Sequence, residues 1–194
     1  MRPKCRILLK KYDKKHFILD DESYFTLSNY NMSGNDIFYS NDLSLTPDSV
    51  SSKYCTKYEK KVLVYLVMSP KGMCTPYFRP SGLAINQDVY LEDCIKKKLV
   101  PFIQKHYQEG QYVFWPDLAS SHYGGRVQEY LKSNKICYVP KWCNPANCPK
   151  LRPIEDLWAN IKQKMYANNW SANNLDQLRL KISSVIRNLC TKAW

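Results

Sequence analysis

Long apolar runs are missing from this chain. The longest, Val62–Met68, is far short of the roughly 20 residues that a membrane-spanning helix needs, so no membrane partner is expected. The N-terminus, Met1-Arg2-Pro3-Lys4-Cys5-Arg6-Ile7-Leu8-Leu9-Lys10, is basic but has no apolar core of signal length, which makes the protein intracellular by default. No Cys-x-x-Cys pair occurs among Cys5, Cys55, Cys74, Cys94, Cys137, Cys143, Cys148 and Cys190, and His16, His106 and His122 do not cluster with them. A structural zinc site is therefore not expected. Disulfides are not expected either, because thiols stay reduced inside the cell; the cysteines read as free, partly buried thiols. Internal repeats and low-complexity tracts are absent too. Acidic charge is scarce: Asp plus Glu number 17 against 29 Lys plus Arg, a formal charge of +12.

What remains describes one basic domain. The 194 residues are 44% hydrophobic, enough for a single core and too apolar for a disordered tail. A domain this basic is drawn to polyanions, with nucleic acid the first class to consider. Residues 1–15 form a lead-in with seven basic side chains: Arg2, Lys4, Arg6, Lys10, Lys11, Lys14 and Lys15.

Periodicity then supplies the elements. His16 to Leu27 reads as a strand, and residues 28–58 as a polar insertion between the first two strands, too long for a plain connection. Lys61 to Ser69 is apolar on both faces, as a central covered strand should be. After the turn at Pro70-Lys71-Gly72, Met73 to Phe78 reads as a third strand in a hairpin. Asn86 to Tyr107 has helical spacing, with Pro101 expected to kink or split it. Gln111 to Trp115 is a fourth strand. Ser120 or Ser121 is expected to cap a helix carrying Val127, Tyr130 and Leu131. Ile136 to Val139 is a fifth strand, and two amphipathic helices follow the irregular stretch Pro140 to Pro153. Three strands, then alternating helices and strands, predict an α/β fold with a mixed five-stranded sheet and helices on both faces. The ribonuclease-H-like fold has that order.

Three acids stand at informative places. Asp21 lies in Phe17-Ile18-Leu19-Asp20-Asp21-Glu22-Ser23, on the strand face of Phe17 and Leu19, with Asp20 and Glu22 on the other. Asp117 follows the strand Tyr112-Val113-Phe114-Trp115, at the end where α/β sheets bind ligands. Glu155 lies in the first turn of a helix, where a carboxylate also suits the helix dipole without further purpose. Each alone has an ordinary reading: a solvated cluster, a turn cap, a dipole partner. Together they form a set that could hold two Mg²⁺ ions about 3.5–4 Å apart for phosphodiester chemistry.

Around these acids the chain resembles the catalytic domain of mariner/Tc-type transposases, of the DDE superfamily. Asp20-Asp21-Glu22-Ser23 is similar to the family's (Ser/Gly)-Asp-Glu strand. Tyr112 to His122 is similar to a hydrophobic strand followed by Gln-Asp-Asn-x-x-x-His. Asn147-Cys148-Pro149-Lys150-Leu151-Arg152-Pro153-Ile154-Glu155-Asp156-Leu157-Trp158 is similar to Ser-Pro-Asp-Leu-Asn-Pro-Ile-Glu-x-Leu-Trp, and 37 residues separate Asp117 from Glu155. The resemblance implies a ribonuclease-H-like fold, Mg²⁺ or Mn²⁺ as a pair of ions on Asp21, Asp117 and Glu155, and His122 as a supporting residue. It further implies cleavage and transfer of DNA strands at transposon ends, a dimeric assembly and a nuclear location. Three departures stand out: Pro116-Asp117-Leu118 replaces Gln-Asp-Asn, Lys150 replaces Asp, and Arg152 replaces Asn. The family's N-terminal helix-turn-helix region has no counterpart in residues 1–194, which read as the catalytic domain alone.

Phosphate contacts are expected from Lys10, Lys11, Lys14, Lys15, Lys96, Lys97, Lys98, Lys150 and Arg152, with Trp142 as the aromatic most suited to DNA contact. Such contacts serve transposon ends or non-specific duplex equally. They also suit a rival reading, a transposase-derived DNA-binding or assembly module without catalysis.

Overall fold

A computed structural model describes residues 3–28, 39–47, 59–79, 83–146, 148 and 151–190. Most of the expected polar insertion lies outside these residues, as does Lys150. The lead-in forms helix α1 (Pro3–Lys11), which buries Cys5 and Leu8 and leaves its lysines outward.

The sheet is built around two long strands. β1 (His16–Thr26) pairs antiparallel with β2 (Lys61–Ser69), Asp21 opposite Leu66. Val62 to Ser69 are all buried, as the two-sided apolar run requires. The expected third strand returns along β2 in two pieces, β3 (Gly72–Met73) and β4 (Tyr77–Arg79). Pro76 has no N–H to offer a ladder, and between the pieces Val67 N donates to the Cys74 thiol instead of a carbonyl. Gly72 turns the hairpin at a φ of 117°, a conformation that disfavours a side chain.

β5 (Tyr112–Trp115) lies parallel to β1 on its other side, and the sheet order is β3-β2-β1-β5 with β4 also on β2. The expected fifth strand at Ile136 to Val139 is reduced to one parallel bridge between Phe114 and Tyr138. Among the described residues the sheet still counts five strands, because the return strand is split.

Helices cover both faces. On one lies α2, continuous through Gln87–Val89, Tyr90–Leu99 and Val100–His106. Pro101 does not split it. The turns before the proline widen instead, and Val100 N reaches back five residues to Ile95 O. α3 (Gly125–Ser133) follows a 3₁₀ turn, Ser120–Tyr123, and starts from Gly124 rather than from a serine cap. That turn buries His122 and Tyr123, so the helix can begin only after them. On the opposite face lie α4 (Pro153–Met165) and α5 (Leu175–Cys190), packed on each other with Trp158, Ile161, Met165, Ile182 and Ile186 inward. Among the described residues no helix is long and apolar enough to cross a membrane.

Candidate active site

β1 carries acids to both faces of the sheet, as strand alternation dictates. Asp20 goes to the α2 face and is fully buried. Its Oδ2 accepts hydrogen bonds from the hydroxyls of Tyr65 (3.1 Å) and Tyr90 (2.5 Å), while Oδ1 has no partner among the described residues. Burial pushes its pKa up, against the pull of His122 and of the Tyr90 hydrogen bond. Glu22 is on the same face, with Oε1 3.1 Å from Nε2 of His122. The imidazole stacks on Tyr90 at 3.9 Å between centroids and turns Nδ1 toward Asp117 Oδ1 at 3.5 Å, too far for a good hydrogen bond. Burial alone would lower the His122 pKa. The Glu22 hydrogen bond and the charges of Asp20, Glu22 and Asp117 outweigh it, and the pKa lies above the ordinary histidine value.

Asp21 goes to the α4 face. Trp158, one turn after Glu155 on α4, donates its indole N–H to Asp21 Oδ2 at 3.0 Å and packs on Phe25. Burial lifts the Asp21 pKa to about 6; a backbone hydrogen bond at Glu22 and the positive charge of Arg152 pull the other way. This is a carboxyl short of positive charge.

Asp117 closes β5, and its Oδ1 accepts from Ala119 N. It shares one cavity of about 390 Å³ with Asn144, Cys148, Arg152 and Glu155. Glu155 itself is exposed in the first turn of α4. Asn144 forms the cavity's buried wall: Oδ1 accepts from Trp115 Nε1 (2.7 Å), and Nδ2 donates to Pro116 O (2.9 Å) and Tyr123 Oη (2.7 Å). Nothing in the sequence marks this asparagine, because its three partners are assembled only by the fold. Arg152 reaches across the end of the sheet and donates to the backbone carbonyls of Asp20, Trp115 and Pro116.

The structure thus brings Asp117 and Glu155 to one cavity and His122 to Asp117, while Asp21 lies behind, engaged by Trp158. Among the described residues no three Asp, Glu, His or Cys side chains stand close enough to hold one ion. The chemistry of the donors does suit a hard divalent cation: Asp21, Asp117 and Glu155 are all carboxylates, and a cation beside Asp21 would pull its raised pKa back down.

The expected phosphate contacts are scattered. Lys10, Lys11 and Lys14 are exposed on or just after α1, and the Lys11 ammonium lies 5.6 Å from the ring centre of Trp142, itself 74% exposed. Lys15 is half-buried, with Nζ 3.7 Å from the Cys137 sulfur. Lys96 and Lys97 pair with Glu92 and Asp93 one turn earlier on α2, and Lys98 donates to Thr75. Two of the cysteines expected as free thiols meet in the fold. Cys5 of α1 and Cys148 of the cavity wall bring their sulfurs together. Cys74, Cys94, Cys137, Cys143 and Cys190 are free.

No protein-family model matches the chain. Over 65 residues it is 35% identical to the Tc3 transposase of Caenorhabditis elegans, a match covering 34% of this chain and 19% of that protein. Its fold superposes on the catalytic domain of Mos1 mariner transposase with a TM-score of 0.59 at 17% identity, covering 97% of this chain and 85% of that one. Against the Mos1 paired-end complex with Mn the TM-score is 0.68 at 18% identity, over 97% of this chain and 57% of the Mos1 chain. The chain therefore spans less than two thirds of the longer proteins it matches. These matches bear out the mariner/Tc-type resemblance and the ribonuclease-H-like α/β fold.

Proposed function

From a chain with the fold of the mariner/Tc-type transposase catalytic domain, we propose a metal-dependent DNA strand-cleaving and strand-transferring domain. The observation that carries the reading is the meeting of Asp117 and Glu155 in one cavity, with Asp21 on the adjoining strand under the same helix. Asp21, Asp117 and Glu155 would hold a pair of Mg²⁺ or Mn²⁺ ions. Bound there, the ions would activate an attacking oxygen and stabilise the leaving one. The chain's own part is to orient. β5 and the Asn144 wall fix Asp117, α4 fixes Glu155, and Trp158 holds Asp21 by one oxygen. His122, held by Glu22 and stacked on Tyr90, turns its Nδ1 edge toward the Asp117 carboxylate. Water is the nucleophile for cleavage and a DNA 3′-hydroxyl for transfer.

DNA is the partner, and the basic side of α1 with Trp142 is its track. Cys5 of that helix meets Cys148 of the cavity wall, which puts the basic helix beside the cavity that holds Asp117 and Glu155. A homodimer belongs to the same reading by analogy with the Mos1 paired-end complexes, and a nuclear location goes with DNA as the partner. A gel assay on duplex DNA tests it: cleavage should need Mg²⁺ or Mn²⁺ and vanish in Asp117→Asn and Glu155→Gln, while both variants still bind. Equal cleavage by all three proteins would end the proposal.

One observation favours a second reading, the non-catalytic DNA-binding module. Asp21 is turned to Trp158, and no three described ligands converge. Tight, salt-sensitive binding without cleavage in either metal would select it.

A further inference from the structure

Arg152 stands where the resemblance leads to asparagine, and its guanidinium is not spent on a carboxylate: among the described residues it takes part in no direct ion pair. Nη2 donates to Asp20 O at 2.8 Å, and Nη1 divides between Pro116 O at 3.3 Å and Trp115 O at 3.4 Å. The guanidinium carbon lies 5.7 Å from the centre of the Trp115 ring, which limits its movement from one side.

The identity of those carbonyls matters more than their number. Asp20 immediately precedes Asp21. Trp115 and Pro116 immediately precede Asp117. Arg152 immediately precedes α4, and its own carbonyl accepts from Glu155 N at 3.1 Å. One planar fork therefore touches the peptide segments that carry Asp21 and Asp117, while its own backbone leads into the helix that carries Glu155; those segments are far apart in sequence. β1 and β5 pair only as far as Leu19 and Trp115, so beyond that register the ladder no longer holds their ends together. The guanidinium bridges the gap where the ladder stops. An arginine suits this task because its donors sit in a rigid plane; a lysine has the charge without the fork.

We propose that Arg152 is a positioning residue of the metal site: its guanidinium ties the segments bearing Asp21, Asp117 and Glu155, and so sets how well the three carboxylates hold a divalent cation together. This rests on the metal-site reading above. Arg152 touches no reacting atom, and its effect passes through the backbone. Residues that orient metal ligands from behind commonly change metal affinity about 10- to 100-fold when replaced.

The test is Mn²⁺ binding, measured by calorimetry and by the loss of the free-ion electron paramagnetic resonance signal, on wild type, Arg152→Lys, Arg152→Asn and the reference variant Asp117→Asn. The expected result is wild-type binding that is lost in Asp117→Asn and weakened about tenfold or more in both Arg152 variants, with melting temperatures close to wild type. Should Arg152→Asn fail to fold, Arg152→Lys decides alone, since it keeps the charge and the stem and loses only the fork. Unchanged affinity in Arg152→Lys overturns the proposal and leaves the metal site standing. Tighter binding in Arg152→Asn with unchanged binding in Arg152→Lys also overturns it, because the arginine would then act only as a competing charge. No Mn²⁺ binding by wild type overturns the metal site and this proposal with it.

Discussion

Asp21→Asn should make the metal-free protein more stable at pH 8. Burial raises the Asp21 pKa from 3.8 to about 6, so the folded protein holds this proton more tightly than the unfolded chain does. Stability therefore falls as pH rises from about 4 to about 6, and above that range the full cost of the buried charge is in place. Two pKa units correspond to about 3 kcal/mol. Screening at a half-buried group reduces this, and about 1–3 kcal/mol is the working range. Asparagine keeps an oxygen for the Trp158 indole and carries no charge, so it removes the cost and keeps the hydrogen bond. For a chain of this size the gain is about 3–10 °C in melting temperature. The assay is thermal and urea unfolding in chelator at pH 4 and pH 8. The gain should be near zero at pH 4 and full at pH 8. An equal gain at both values, or a loss at pH 8, refutes the burial argument. Added Mn²⁺ should then stabilise wild type and not the variant.

Other expectations follow from the same geometry. His122→Gln should break the hydrogen bond to Glu22 and the stack on Tyr90, costing about 1–3 kcal/mol in urea unfolding near neutral pH. Because the His122 pKa is raised on folding, its charge stabilises the wild type at low pH and that contribution fades as pH climbs past the raised value; the glutamine variant should lack this fade. Replacing Lys10, Lys11 and Lys14 together by glutamine should weaken DNA binding and make its salt dependence shallower, by about one unit of log–log slope for each phosphate no longer neutralised. An unchanged slope in a filter-binding titration would place the DNA elsewhere. Tyr90→Phe should destabilise by about 1–3 kcal/mol at pH 8 by removing a donor to the buried Asp20; a stability unchanged across pH would show that Asp20 does not need it.

Much of the frame was legible because it rests on local periodicity. The two-sided apolar run at Val62 to Ser69 identified the central strand, and period two separated Asp21 from Asp20 and Glu22. What period two could not supply is the environment each face meets. Asp20 looks in sequence like the expendable neighbour of Asp21, yet it is the more deeply buried, because Tyr65 and Tyr90 arrive from 45 and 70 residues away. Arg152 read as a phosphate contact from its charge alone; its three carbonyl partners depend on where β1 and β5 stop pairing. The serine caps before α3 failed for a similar reason, since burial of His122 and Tyr123 outweighs a local capping bond. Pro101 widened the helix turns without breaking them, because α2 is held along its length by the core. The meeting of Cys5 with Cys148 spans 143 residues and has no local signal.

The central claim is that Asp21, Asp117 and Glu155 cut DNA with a divalent ion. The chemistry of the cut ends tests it most directly. Supercoiled plasmid incubated with the protein and Mg²⁺ or Mn²⁺ should acquire nicks bearing 3′-hydroxyls, which a polymerase extends. Chelator, Asp117→Asn or Glu155→Gln should leave the plasmid intact. Nicks that form without metal, that resist extension, or that appear equally in Asp117→Asn would contradict the account.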